Sequence, residues 1–310
     1  METTCGYGGE FRPTMRDPTD YPALNAVLRE LVESVRGILD ESFCGAYLQG
    51  SFAIGDADEQ SDVDFLIVTH DEVGAPRLEA LQAMHKRLYA LETPWAQHLE
   101  GSYIPKERLR LVDPAREAFW YLDNGASELV RDNHCNTAVV RWTLREHGVV
   151  LAGPDPKELV DPVSAAQLRD EALAALHEWA DWAREPHPRF GPGAMSRRQQ
   201  SLLVLSFCRV LHTLAVGKVT SKPAAGEWAL TTLNPEWSGL IRRALDDRPD
   251  QWGQVHEQAT PQAVERTLAF VDYALGLRSV AGVPITRGNE RAGRRTARRR
   301  GDGSSLLHGE

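Results

Sequence analysis

The feature that most constrains the fold is an apolar run, residues 63–68, that two acidic residues open. Asp62 and Asp64 stand two positions apart at its start, and the residues that follow are β-branched or large and apolar. Such a run predicts a buried β-strand. Because side chains alternate along a strand, both carboxylates are expected on the same face of the sheet. Two like charges side by side at the edge of a core are costly unless a cation lies between them.

Strand and helix patterns alternate around this run in the first half of the chain. The predicted elements there are a helix over 21–41, a strand at 46–49, the strand at 63–68, a helix over 76–91, a strand over 96–104, a stretch 115–147 that is helical at both ends, and a short extended piece at 149–151. Apolar residues at three- and four-residue steps indicate the helices, and short β-branched runs indicate the strands.

Only helical patterns follow. They cover 163–185, 197–215, 223–233, 237–246 and 261–277. The chain is therefore predicted to have an α/β domain with a mixed sheet and helices over residues 20–155, then an all-α helical bundle over residues 156–281. Residues 1–19 are expected to be loosely ordered, and residues 282–310 to be a disordered, Arg-rich tail.

Charge and composition exclude several classes of protein. The 310 residues carry a net charge of −9 although the tail holds seven arginines, so the rest of the chain is strongly acidic. An acidic body is a poor nucleic-acid binder but would attract a small cationic molecule. No run of 18 apolar residues and no secretory signal is present, and four dispersed cysteines predict free thiols. We therefore expect a cytoplasmic protein without a membrane partner.

Five carboxylates lie within residues 56–64, and three explanations compete. A solvated acidic loop accounts for those before the strand, but not for Asp62 and Asp64. A calcium loop starting at Asp56 would need Gly and Glu where the chain has Ser61 and Ile67. The remaining explanation is a Mg²⁺ site, because Mg²⁺ is held by one or two carboxylates together with substrate phosphates.

A phosphate-binding turn is predicted just upstream. Gly50 and Ser51 follow the strand at 46–49, where a glycine lets the backbone approach a phosphate and the serine adds a donor. Donors for a triphosphate and carboxylates for its metal complement each other. Glu100 is the candidate third acid, since on the strand at 96–104 it shares a face with His98 and Ser102; the alternative is an exposed strand acid.

These motifs resemble the signature of the DNA polymerase β-type nucleotidyltransferase superfamily: Gly50-Ser51, a spacer, and Ser61-Asp62-Val63-Asp64 on a strand. Further segments are similar to one branch, the aminoglycoside adenylyltransferases that inactivate streptomycin and spectinomycin. These segments are Leu-Ala-Gly-Pro-Asp-Pro at 151–156, Asp161-Pro-Val, Arg209-x₈-Lys218-x₃-Lys222 and Glu227-Trp228-Ala229. The resemblance covers about residues 20–278.

The resemblance implies a reaction and roles for named residues. AMP would pass from ATP to a hydroxyl of a small, cationic, aminoglycoside-like acceptor, with release of pyrophosphate. Two Mg²⁺ ions would be held by Asp62 and Asp64, and Glu100 would be the general base. The nucleotide would be bound by Gly50, Ser51, Ser61, Arg209 and Lys222. Arg209 lies in an otherwise apolar helix, where a charge needs a partner such as a phosphate; the alternatives for Arg209 and Lys222 are a salt bridge and a solvated lysine.

Three alternatives stay open at this level. The first is a nucleotidyltransferase of the same fold that acts on a non-drug metabolite or a protein. It is favoured by the basic segment 187–198, which stands where the family places an acid against the drug. The second is a nucleotide-binding regulator without turnover, although binding alone needs no base such as Glu100. The third is RNA end modification, supported only by the Arg-rich tail.

Overall fold

The computed structural model describes residues 17–248 and 253–277. The described strands are β1 (Phe43–Leu48), β2 (Val63–Thr69), β3 (Leu99–Pro105), β4 (Phe119–Leu122), β5 (Leu129–Asp132) and β6 (Val149–Ala152). They form one sheet in the spatial order β5-β4-β3-β2-β1-β6. Strands β2 and β3 are parallel, and the other neighbouring pairs are antiparallel. The predicted mixed sheet is confirmed.

Helices precede, connect and follow these strands. They are α1 (Pro22–Leu39), α2 (Gly50–Ile54), α3 (Ala75–Tyr89), α4 (Pro94–Gln97), α5 (Lys106–Leu109), α6 (Ala138–His147), α7 (Pro156–Leu159), α8 (Ala165–Trp182), α9 (Arg197–Val216), α10 (Lys222–Thr232), α11 (Ser238–Asp247) and α12 (Pro261–Leu277). Short 3₁₀ turns cover Asp40–Ser42, Pro235–Trp237 and Gly253–His256. The five helices predicted for the second half are confirmed as α8 to α12.

The two faces of the sheet belong to different hydrophobic cores. Val63, Phe65 and Ile67 of β2 pack with apolar residues of α1 and α3. Leu66 and Val68 point the other way and join a second core that extends to Val160 after α7. Because side chains alternate along β2, Asp62 and Asp64 lie on the same face of the sheet as Leu66.

Helix α9 is the centre of a third core, with α8, α10, α11 and α12 packed around it. Ser196 caps its start by accepting a hydrogen bond from the Gln199 backbone, and Gly217 ends it in the left-handed conformation (φ 72°). By length and composition α9 is also the one described helix that could cross a membrane, but most of it is buried in this core. Its apolar residues are therefore accounted for by packing between helices.

One expectation for the first half is wrong. The stretch 115–147 was expected to be helical at both ends, but residues 119–132 hold the antiparallel pair of β4 and β5, and only α6 is helical. Strand β4 has the sequence Phe119-Trp120-Tyr121-Leu122. It pairs with β3 and is mostly buried. Three of the four residues of β5 are exposed, so an edge strand of this kind has little apolar pattern to reveal it.

The domain limits of 155 and 281 remain predictions. Leu159 and Val160 still pack in the core of the sheet, and α8 is joined to α6 because the Glu171 carboxylate accepts hydrogen bonds from the backbone N–H groups of Ala138 and Val139. The expected tail 282–310 lies outside the described residues, as does nearly all of the loosely ordered segment 1–19.

Candidate active site

The parallel pairing of β2 with β3 brings two acids side by side. Asp64 and Glu100 occupy directly paired positions of the two strands. Paired residues of parallel strands point to the same face, so both carboxylates lie on the face that carries Leu66. Asp62, two residues before Asp64, joins them. The three acids predicted from the sequence are thus brought to one end of β2 and β3.

Gly50 lies directly against this group. The chain leaves β1, the Gln49 backbone N–H donates to the Asp64 carbonyl (2.9 Å), and Gly50 adopts a positive φ of 57°. A Cβ on Gly50 would collide with the Asp64 carboxylate. Only glycine therefore allows α2 to begin beside the acid.

The Asp62 carboxylate is held by a residue that sequence reasoning missed. Asn124, in the turn after β4, donates from Nδ2 to Asp62 Oδ1 (2.5 Å). His98, just before β3, contacts the other end of the same amide, with 2.9 Å between its Nδ1 and Asn124 Oδ1. His98 is thus a support of Asp62 through Asn124.

Two further unpredicted residues hold Glu100. Tyr121 of β4 donates its hydroxyl to Glu100 Oε1 (2.8 Å). His134, in the turn after β5, places Nε2 at 3.1 Å from the same oxygen. The aromatic content of β4 was the only signal in the sequence for Tyr121, and nothing local marks His134, because each meets Glu100 through the pairing of β3, β4 and β5.

The carboxylates are electrostatically crowded. Burial, and then the charge of Glu100, raises the pKa of both Asp62 and Asp64, and Asp62 adds to the effect on Asp64. Burial would also raise the pKa of Glu100, but the hydrogen bond and the charge of His134 outweigh it, so this pKa is lowered. Glu100 is therefore held as a carboxylate while Asp64 favours a proton or a cation.

Positive charge reaches the same site from the helical part of the chain. Arg209 of α9 and Lys222, the first residue of α10, are both half-buried. Burial and the charge of Arg209 lower the pKa of Lys222 to about 8, while Asp62 and Asp64 oppose the shift. Burial likewise lowers the pKa of Arg209, against the attraction of Asp64 and Asp56. Both predicted cations are thus close enough to the acids to interact with them.

Ser61 lies in the loop between α2 and β2, where its contacts support the loop. Its hydroxyl donates to Asp58 Oδ1 (3.1 Å) and accepts from the Asp58 backbone N–H (2.9 Å). Arg248, directly after α11, donates to Asp58 Oδ2 (2.6 Å) and to the Asp56 carbonyl (3.1 Å). The helical part therefore holds this loop through Arg248, a contact that the sequence pattern did not indicate.

The donor set fits a hard cation bound together with phosphate. Among residues 17–248 and 253–277 no group of three or more His, Cys, Asp or Glu is arranged to hold a metal by itself. Asp62 and Asp64 would supply two carboxylate ligands, so the others would come from water and substrate, as is usual for Mg²⁺. Burial and the negative charges of Glu100 and Asp62 raise the pKa of Asp64, so a bound cation would relieve the repulsion there.

Comparison with known families agrees with this geometry in both halves. A family described as a nucleotidyltransferase domain matches residues 31–112, which include Gly50, Asp62, Asp64 and Glu100. A second, described as the aminoglycoside adenylyltransferase C-terminal domain, matches residues 158–275, which include Arg209 and Lys222. The chain is thus similar to the aminoglycoside adenylyltransferases over residues 158–275 and to nucleotidyltransferases over residues 31–112. It is an enzyme of the nucleotidyltransferase class.

Individual relatives are distant but span most of the chain. The aminoglycoside (3'')(9) adenylyltransferase of Escherichia coli is 24% identical over 267 residues, which are 80% of this chain and 92% of the relative. The spectinomycin 9-adenylyltransferase of Campylobacter jejuni is 21% identical over 260 residues, 79% and 92% of the two chains. A spectinomycin adenyltransferase from Enterococcus faecialis, crystallised with ATP and spectinomycin, superposes with a TM-score of 0.63 at 15% identity. The superposition covers 81% of this chain and 98% of the other. This last likeness shows the fold.

Proposed function

We propose that this enzyme transfers AMP from ATP to a hydroxyl of an aminoglycoside-like antibiotic and releases pyrophosphate. The observation that carries the proposal is the pairing of Asp64 with Glu100 across parallel strands, with Asp62 on the same face. It combines a base and two metal ligands within reach of two cations, Arg209 and Lys222. The names of the relatives support the same transfer and an antibiotic acceptor.

Each residue has a proposed task in the reaction. Glu100 accepts the proton of the acceptor hydroxyl, and the oxygen then forms a bond to the α-phosphorus of ATP. The bond from that phosphorus to the pyrophosphate oxygen breaks in line with the attack. Mg²⁺ on Asp62 and Asp64 would supply charge stabilisation and orientation to the phosphates.

The nucleotide is proposed to lie between the sheet and the helical part. The backbone at Gly50 and Ser51 approaches its phosphates, as expected at the start of a helix, and Arg209 and Lys222 meet the charge of the departing pyrophosphate. Ser61 acts here by fixing the loop that ends at Asp62, since its hydroxyl is bonded to Asp58. Two Mg²⁺ ions, rather than one, remain a proposal from the family resemblance.

A cationic, hydroxyl-bearing acceptor suits the acidic body of the chain. The basic segment 187–198 would repel a cationic acceptor, but less strongly than its composition suggests. Some of the positive charges in this segment are paired with acids. Arg197 bridges Asp247 and Glu257, at 2.5 and 2.7 Å. Arg198 does bring positive charge to the site, since it lowers the pKa of Asp62. A cytoplasmic enzyme without membrane or nucleic-acid partners remains the proposal for its setting.

The deciding experiment measures pyrophosphate release with Mg²⁺ and ATP across streptomycin, spectinomycin and other aminoglycosides. Turnover with one drug that disappears in Asp64→Ala would establish the reaction and the acceptor class together. Binding of Mg²⁺-ATP without turnover on any drug would refute the antibiotic acceptor. It would favour a metabolite or protein acceptor, to be sought with the same readout.

A further inference from the structure

The carboxylate of Glu100 accepts its hydrogen bonds through one of its two oxygens. Among the residues that the structure describes, two groups hydrogen-bond to it, the Tyr121 hydroxyl at 2.8 Å and His134 Nε2 at 3.1 Å, and both contact Oε1. The Glu100 side chain is only 13% exposed, whereas that of His134 is 60% exposed. Two donors on Oε1 fix the carboxylate plane and leave Oε2 as the oxygen with lone pairs directed elsewhere.

The two donors support each other. The rings of Tyr121 and His134 are stacked, with centroids 5.2 Å apart and planes inclined by 27°. The Tyr121 hydroxyl also lies 3.1 Å from Asp123 Oδ1, and a hydroxyl has only one proton to donate. When that proton is turned to Asp123, His134 remains as the donor that holds Glu100. The arrangement therefore keeps Oε1 occupied in either orientation of the hydroxyl.

We propose that Tyr121 and His134 are positioning residues, which hold Glu100 by Oε1 so that Oε2 faces the acceptor hydroxyl. This inference rests on the proposed function, since it assigns a support to its general base. A base must lie within hydrogen-bond reach of the proton it removes, so a rotation of the carboxylate would slow the chemical step. Binding of ATP, which uses Arg209 and Lys222, would change little.

The test compares His134→Ala, His134→Gln and Tyr121→Phe in the pyrophosphate-release assay, with an acceptor on which the wild type turns over. The alanine and phenylalanine variants are expected to lower kcat by about 10- to 100-fold while KM for ATP changes by less than about threefold. Glutamine can place an amide N–H near the position of Nε2, so His134→Gln should recover most of the loss. In the Glu100→Ala background, His134→Ala should have almost no further effect, because it acts through Glu100.

Two matched controls separate positioning from general damage. His70→Ala removes an exposed histidine away from the site. Tyr47→Phe removes a buried tyrosine hydroxyl that donates to the Pro154 carbonyl instead of to Glu100. Both should keep the wild-type kcat.

Unchanged kcat in His134→Ala and Tyr121→Phe, with an active wild type, would overturn the positioning role and leave the proposed function intact. The same would follow from an equal loss in the Glu100→Ala background. A wild type that turns over no acceptor at all would instead refute the proposed function, and the positioning role with it.

Discussion

Gly50 carries two constraints at once. Its φ of 57° is unfavourable for any residue with a side chain, and its missing Cβ leaves the space that the Asp64 carboxylate fills. The first constraint concerns stability, whereas the second concerns the position of Asp64, a proposed metal ligand. Another glycine in the same segment, Gly55, has a φ of 79° but open space around it. The pair allows the two effects to be separated by the same substitution.

Gly50→Ala is expected to lower kcat/KM for ATP by at least about 100-fold, because the new methyl group displaces the Asp64 carboxylate from the geometry that the reaction needs. Gly55→Ala should cost about 1–2 kcal/mol in free energy of unfolding, the usual effect of a side chain at positive φ, and should leave kcat/KM nearly unchanged. Pyrophosphate release and urea unfolding of the two variants check this. Equal losses of activity would show that strain, and not the collision, explains Gly50.

Asp64 makes stability depend on pH in the absence of metal. Burial and the charges of Glu100 and Asp62 raise its pKa in the folded protein above the value in the unfolded chain. Between these two values the folded state binds the extra proton, so the free energy of unfolding falls as pH rises through this range. Asp64→Asn removes the titration and should flatten this decrease.

Urea unfolding of the metal-free wild type and of Asp64→Asn, at about pH 6 and about pH 8, measures the effect. The variant is expected to gain stability relative to the wild type at the higher pH. Parallel changes in the two proteins would contradict the raised pKa of Asp64. Mg²⁺ should favour the wild type only, because the carboxylate is the form that binds a cation.

At the scale of elements, the strands bring the acids together and the turns hold them. The turn after β4 supplies Asn124 to Asp62, and the turn after β5 supplies His134 to Glu100. The loop from α2 to β2 is held by a residue far away in the sequence, because Arg248, which follows α11, contacts Asp58 of this loop. That side chain of Arg248 is only 14% exposed, so its ion pair is less screened by water than a surface pair.

A double-mutant cycle with Arg248→Ala and Asp58→Ala is expected to give a coupling free energy of about 1–2 kcal/mol. The exposed pair of Arg110 and Asp161, with 3.1 Å between its charged atoms, is the matched control and should give less than about 1 kcal/mol. Urea unfolding of the single and double variants measures both values. A weaker coupling for Arg248 than for Arg110 would refute a role in holding the loop.

At the scale of the whole molecule, the site combines negative charges from the sheet with positive charges from the helical part. The carboxylates lie at the end of the sheet, while Arg209 lies on α9 and Lys222 on α10, which packs against α9. Neither of these two parts alone carries both the proposed metal ligands and the proposed phosphate-binding cations. ATP between them would be bound from both sides, and its affinity should depend on the helical part as strongly as on the sheet.

Lys222→Met is expected to weaken ATP binding by about 10- to 100-fold, because it removes a half-buried cation that is proposed to meet the phosphates. Lys218, four residues earlier and exposed, is the control, and Lys218→Met should change the affinity by less than about twofold. Calorimetric titration with ATP and Mg²⁺ gives both values. Similar losses in the two variants would mean that only general charge attraction is involved.

Local pattern alone was enough for most of the fold. Period-two and period-3.6 spacing of apolar residues predicted α1, the strands β1, β2, β3 and β6, and the five helices after residue 163. The same alternation predicted that Asp62 and Asp64 would share a face, because side-chain direction along a strand is a local property. Their alignment with Glu100 depends on the parallel pairing of β2 with β3. The spacing of apolar residues did not predict β4 and β5, because a short pair of strands at the edge of a sheet is stabilised mainly by the neighbouring strand, here β3.

The supports of the site were decided by tertiary structure. Glu100 meets His134 across three neighbouring strands, and Asp58 meets Arg248 across 190 positions of the chain. Such contacts leave no periodic signal, because each depends on strand order and on how the helical core docks against the loop. The sequence by itself predicted which acids would hold a metal, and its family resemblance implied which one would accept a proton. Only the folded chain decided that Asp62 is held by Oδ1 and Glu100 by Oε1, because the groups that hold them come from other strands and turns.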